Sequence, residues 1–126
     1  MEIDVDTMVE FIRCLPRLSS LGIMSLNPHS TRLDISVPEP GAGRLVEPIS
    51  NMLKSVSIAF RCNDQNHTNP AVLALKYLLL AVPSLSSISA HGIPDDSMDG
   101  FIDAYADQYL HLARLRIHIY ERRRWG

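Results

Sequence analysis

Apolar residues along the chain come in short bursts, each behind a stretch with helical spacing. Leu15-Pro16-Arg17-Leu18-Ser19-Ser20-Leu21-Gly22-Ile23 recurs 67 residues later as Val82-Pro83-Ser84-Leu85-Ser86-Ser87-Ile88-Ser89-Ala90. Shorter versions are Leu53-Lys54-Ser55-Val56-Ser57-Ile58 and Leu112-Ala113-Arg114-Leu115-Arg116-Ile117. Their central apolar residues Leu21, Val56, Ile88 and Leu115 stand 35, 32 and 27 residues apart, within the range of supersecondary repeats. The unit this predicts is a helix, a tight turn and a short strand.

The pattern predicts four helical stretches. In the first, Asp6 or Thr7 caps and Met8, Phe11, Ile12 and Leu15 share a face, before Pro16 ends it. A short second stretch falls around Arg44 to Met52, weakened by Pro48. Asn69-Pro70, an N-cap followed by proline, opens a third that is apolar almost all round to Val82. The fourth follows Pro94, with Asp95 and Asp96 at its start and Met98, Phe101, Ile102, Tyr105 and Tyr109 as its inward stripe. Ser55 to Phe60 and Leu115 to Tyr120 alternate as strands do, and so does Thr31 to Val37, an extra strand or hairpin partner.

Strands joined through helices run parallel. Stacked without reversal, such units form a curved solenoid with strands inside and helices outside. The fold class expected is α/β, a short solenoid of about four helix–strand units with a mainly parallel sheet. From Thr7 to Tyr120 the chain resembles the degenerate leucine-rich-repeat region of fungal F-box-type proteins, through its Leu-Pro-x-Leu-x-x-Leu-x-Ile pattern. That resemblance implies a protein-binding module, with substrate recognition for a ubiquitin ligase as its specific form. Two features depart from it. The Asn or Cys that closes the turn in regular leucine-rich repeats has no counterpart after Ile23, Ile58 or Ile117, and the F-box helix motif is absent. Residues 1–126 read as a single leucine-rich-repeat-like domain, whose four units suggest a fragment of a longer array.

Composition sets bounds on this picture. Hydrophobic residues make up 46% and charged residues 21%, a globular balance that disfavours wholesale disorder. Twelve Lys+Arg against 14 Asp+Glu give a net charge of -2, without the basic excess of a nucleic-acid-binding domain. Cys14 and Cys62 form no CxxC pair, and two free thiols in a reducing compartment is the preferred reading. The acidic start, Glu2, Asp4 and Asp6, is the wrong sign for a signal peptide or presequence. The most apolar run, Ala71 to Val82, contains Lys76 and is about half the ~20 residues of a membrane span. A cytoplasmic or nuclear protein without membrane contact is expected.

Candidate chemistry is sparse. Asp95 to Asp103 resembles the start of a calcium-binding EF-hand loop, but Ala106 stands where a bidentate Glu is needed. Acids at a helix N-terminus explain the segment better. His29, His67, His91, His111 and His118 make no zinc spacing, and no nucleophile elbow or glycine-rich phosphate loop occurs. No catalytic residue, cofactor or metal is assigned, and the chain is read as a non-enzyme. Five of the 12 basic residues, Arg114, Arg116, Arg122, Arg123 and Arg124, gather near the C-terminus, where a solvated cap on a sheet edge is preferred to an anion site.

The function expected is binding of another protein on the strand-lined face. The residues assigned to it alternate with, or flank, the apolar set: Ser20, Gly22, Ser55, Ser57, Ser87, Ser89, Arg114, Arg116 and His118. A self-associating structural module without catalytic activity is the alternative, ahead of a calcium-binding or small enzymatic α/β domain.

Overall fold

The computed structural model describes residues 3–27, 37–39, 41, 45–60, 68–93, 98 and 100–120. The chain is α/β, built on a five-stranded sheet in which every pair is parallel. Its elements are β1 (Ile3–Asp4), α1 (Val5–Cys14), β2 (Ser20–Asn27), β3 (Ser55–Phe60), α2 (Thr68–Ala81), β4 (Ser87–His91), α3 (Phe101–Tyr105), a 3₁₀ helix (Leu110–Arg114) and β5 (Arg116–Tyr120). Strand order in the sheet equals order in the chain, so each strand pairs with the next one made.

The apolar bursts explain this order. Leu18 N–H donates to Leu15 C=O (3.0 Å), Leu85 N–H to Val82 C=O (3.2 Å) and Leu115 N–H to Leu112 C=O (3.3 Å), the same turn three times. Before β3 the Ser50 hydroxyl takes the carbonyl's part, accepting from Leu53 N–H at 3.1 Å. The strands then continue in register as Leu21, Val56, Ile88 and Ile117. The last position is Ile117, not Leu115: the fourth burst has one residue fewer between turn and strand, and Leu115 closes the turn. Leu53 and Leu85 are buried, whereas Leu18 and Leu115 at the two ends are half-buried because each has such a neighbour on one side only.

Helix α1 starts earlier than its pattern predicts. Asp4 caps it by accepting from Thr7 N–H at 2.8 Å, and Val5, Met8, Val9 and Ile12 are its buried set. That frame leaves Phe11 48% and Leu15 41% exposed. Helix α2 is buried on most sides, with Leu75, Leu78, Leu79 and Leu80 in the core. Its last carbonyls are met from outside: Ile49 N–H donates to Ala81 C=O at 2.8 Å and the His111 ring Nε2 bonds Leu79 C=O at 2.7 Å. The first of those bonds shows why no helix forms over residues 45–52. Ile49 is buried and its N–H is committed to α2, while Pro48 has no N–H to give.

The expected fourth helix is broken in two. Gly100, with φ +77, precedes the single turn-and-a-half of α3, and Tyr109, with non-helical dihedrals (φ -124, ψ 84), stands ahead of the 3₁₀ helix. Phe101, Tyr105 and Tyr109 are buried as expected, and Asp103 and Asp107 are exposed. Tyr105 and Tyr109 use their hydroxyls to tie down the long connection before β3. Tyr105 donates to Pro38 C=O, and Val46 N–H donates to Tyr109 Oη at 2.9 Å. Burial raises the Tyr105 phenol pKa above its ordinary value, and Tyr109 and Glu39 nearby add to that, so it stays a donor. Thr31 to Ser36 of the expected extra strand lie outside the described residues, as do Cys62, Asp95, Asp96, Asp99 and Arg122 to Arg124. Among the described residues no helix is long and apolar enough to cross a membrane.

Candidate functional site

Alternation along the strands divides the sheet into two faces. Ile23, Leu26, Val56, Ile58, Phe60, Ile88 and Ala90 join the buried residues of α1, α2 and α3 in one core, with Ile117 and Ile119 half-buried against it. The opposite face carries the residues between them. One row across it is Ser20, Ser55, Ser87 and Arg116, and the next is Gly22, Ser57, Ser89 and His118. Ser87 and Ser89 are half-buried and the other six are exposed. Eight of the nine residues singled out from sequence therefore share one surface. Arg114 does not: it is exposed at the end of the 3₁₀ helix, ahead of β5.

A third row escaped the sequence pattern. Ala59, His91 and Tyr120 are aligned across β3, β4 and β5, and Met24 of β2 lies beside them, 91% exposed. His91 lies one residue beyond the repeat that ends at Ala90, while Ala59 and Tyr120 fall within the stretches Ser55 to Phe60 and Leu115 to Tyr120, where the signal is that same alternation. In β2 it was also interrupted by a bulge, where two residues, Met24 and Ser25, stand opposite the one residue Ala59. The extra residue lets Ile23 and Leu26, three apart, both point into the core. The His91 and Tyr120 rings stack with centroids 4.6 Å apart and planes within 13°.

The face is shallow and chemically graded. A Cβ added at Gly22 would meet nothing within 4 Å, so β2 and β3 present only small side chains and backbone apart from Met24. β4 and β5 present His91, His118, Arg116 and Tyr120. No strand from β2 to β5 contains an acidic residue. At the far end, a groove of about 370 Å³ opens between α1 and the outer edge of β2, lined by Phe11, Met8, Leu21, Ile23 and Met24 among others. β1 pairs with β2 at Leu26 and Asn27, and among the described residues no strand covers the start of that edge.

Among the described residues no three of His, Cys, Asp and Glu are placed to hold a metal ion. Cys14 is exposed on α1 as a free thiol. The open face offers hydroxyls, imidazoles, one guanidinium and a pair of stacked rings on exposed or half-buried strand positions. Compared with protein-family models, curated proteins and solved structures, the chain matches none.

Proposed function

We propose that this protein is a protein-binding module that receives its partner on the open face of the sheet. One observation carries the reading: a parallel sheet whose helices occupy one face and whose other face is lined by small and polar side chains. Parallel sheets are ordinarily covered on both sides. A sheet left open on one side, with strands in chain order, is the geometry of short solenoids that bind across their strands. The recurring turn, the in-order strands and the half-buried end positions support a leucine-rich-repeat-like array. A role in presenting substrates to a ubiquitin ligase is the specific form of this proposal, and it requires an F-box supplied by another chain or segment.

Size sets the strength of binding. Three strand spacings of about 4.8 Å and two row steps of about 6.7 Å give a flat footprint of roughly 14 by 13 Å. That is well short of the ~800 Å² per partner in a stable complex. Phe11 and Met24 along the adjoining groove enlarge it toward α1. A transient interaction follows unless the partner wraps onto that groove.

A photo-reactive residue placed at Ser57, at the centre of the face, is expected to crosslink a partner protein. The same probe at Glu10 or Asp103, exposed on the helices, is expected to give none. Crosslinks confined to the helical positions would overturn the proposal. Self-association is favoured by a second observation, the edge of β5 that pairs with no strand among those described. A concentration-dependent shift on a sizing column, abolished by proline in β5, would establish it.

A further inference from the structure

We infer that the partner segment held on the open face is acidic, and that its carboxylates seat on Arg116 and His118 at the β4–β5 end. The inference rests on the reading of this face as the binding surface and goes on to name what it selects. Its ground is the distribution of charge. Acidic residues of the described chain lie in β1 and α1 (Asp4, Asp6, Glu10), in the connection before β3 (Glu39, Glu47), and in and after α3 (Asp103, Asp107). None lies on β2, β3, β4 or β5, so the three rows of the open face hold basic and neutral groups alone.

Arg116 is exposed, and its neighbour across the ladder is Ser87, a neutral residue. A guanidinium in that setting can take a carboxylate through two parallel hydrogen bonds. His118, next on the same face, and His91, across from Tyr120, add imidazole donors. The stacked His91 and Tyr120 rings form a flat floor beside them. Toward β2 and β3 the short side chains of Ser20, Gly22, Ser55 and Ser57 let an extended backbone approach the sheet closely. The surface thus reads as a charged anchor at one end and a low bed at the other. Nucleic acid is the poorer fit: the three rows hold one permanent positive charge, whereas phosphate-backbone binding is built on several.

The test uses the full chain, labelled for amide chemical shifts, and four probes: a Glu-rich extended peptide, its Gln-substituted twin, its Lys-substituted twin and an oligothymidylate. The Glu peptide is expected to shift Ser57, Ser89 and His118 and to bind at least about tenfold more tightly than the Gln twin. Arg116→Gln and Arg116→Glu should weaken it in that order, with thermal melts showing both variants folded. Ser57→Trp, which fills the face, should remove all binding there. Equal binding of the Glu and Gln peptides, both blocked by Ser57→Trp, would overturn the acidic partner while leaving the binding face standing. Tighter binding of the Lys peptide or the oligothymidylate would overturn the inference, as would shifts confined to the helices or none at all. Concentration-dependent shifts without any probe, lost in Arg116→Glu, would make the occupant a second copy of the chain and overturn it too.

Discussion

Gly92 follows β4 with φ +93, and a Cβ built on it would stand 2.6 Å from the carbonyl oxygen of Phe60. Its N–H donates to Tyr120 C=O at 2.9 Å, so the residue joins the ends of three neighbouring strands. Only glycine meets both the dihedral and the close approach. Gly92→Ala is therefore expected to destabilise by on the order of 1–3 kcal/mol for the backbone alone, with the contact adding to it. Gly22→Ala is its control. There the added methyl enters open space in a strand, and stability should stay level or rise by up to about 1 kcal/mol. Denaturant midpoints check both, and equal effects of the two substitutions would refute the argument. Lys76 shows a different residue-level solution. Set in the most apolar helix, it lays its Nζ over the Phe101 ring, 5.8 Å from the centroid, in the geometry of a cation–π contact.

A helix is decided largely at its ends, and α1 shows how one cap sets a whole frame. The choice of Asp4 as the capping residue places Val5, Met8, Val9 and Ile12 inward and turns Phe11 and Leu15 toward solvent. Hydrogen bonds from Thr7 hold the Asp4 carboxyl below its ordinary pKa. A group lowered on folding contributes stability that is complete above the unfolded value of about 3.9 and is lost as pH falls through the folded value. Asp4→Ala is thus expected to cost about 1 kcal/mol near neutral pH. That difference should close in acid, and a gap unchanged at pH about 2 would contradict it.

The same element scale shows what was legible in the sequence. Strand β3 was readable residue for residue, because Ser-Val-Ser-Ile-Ala-Phe alternates without interruption. Helix α2 was readable from its Asn-Pro start and apolar run, although it begins at Thr68. The expected helix around Arg44 to Met52 was not there to read: Ile49 spends its N–H on a distant carbonyl, a tertiary bond that no local pattern announces. β1, two residues long, carries no periodicity at all.

At the scale of the molecule, the strands with partners on both sides differ from those without. Among the described strands, β3 and β4 are central, β5 is an edge, and β2 is covered by β1 only at its far end. Amide exchange should be slowest at Ile58, Ile88 and Ala90 and faster along Arg116 to Tyr120, since an edge opens without breaking the centre. Uniform protection across all five strands would contradict that gradient. The candidate face was legible because its residues are the outward half of the alternation that marks the strands. Arg114 was misplaced, and Leu115 misaligned, for one reason. The fourth burst shortens the path from turn to strand by a residue, a change in spacing that shows only when the ladder is seen. His91 falls outside the pattern because the apolar repeat ends at Ala90, one residue before β4 does.

Strand order that repeats chain order also bears on how the molecule is made. No strand waits for a distant segment: the rows from Leu21 to Ile117 are linked by steps of 35, 32 and 29 residues. The loop-closure cost rises only slowly with such lengths and is met once per neighbouring pair. Assembly can begin at β3 and β4, where α2 bridges the two strands, and grow outward one strand at a time. Each strand added presents a ready template for the next, so the growing structure is least protected where it is newest.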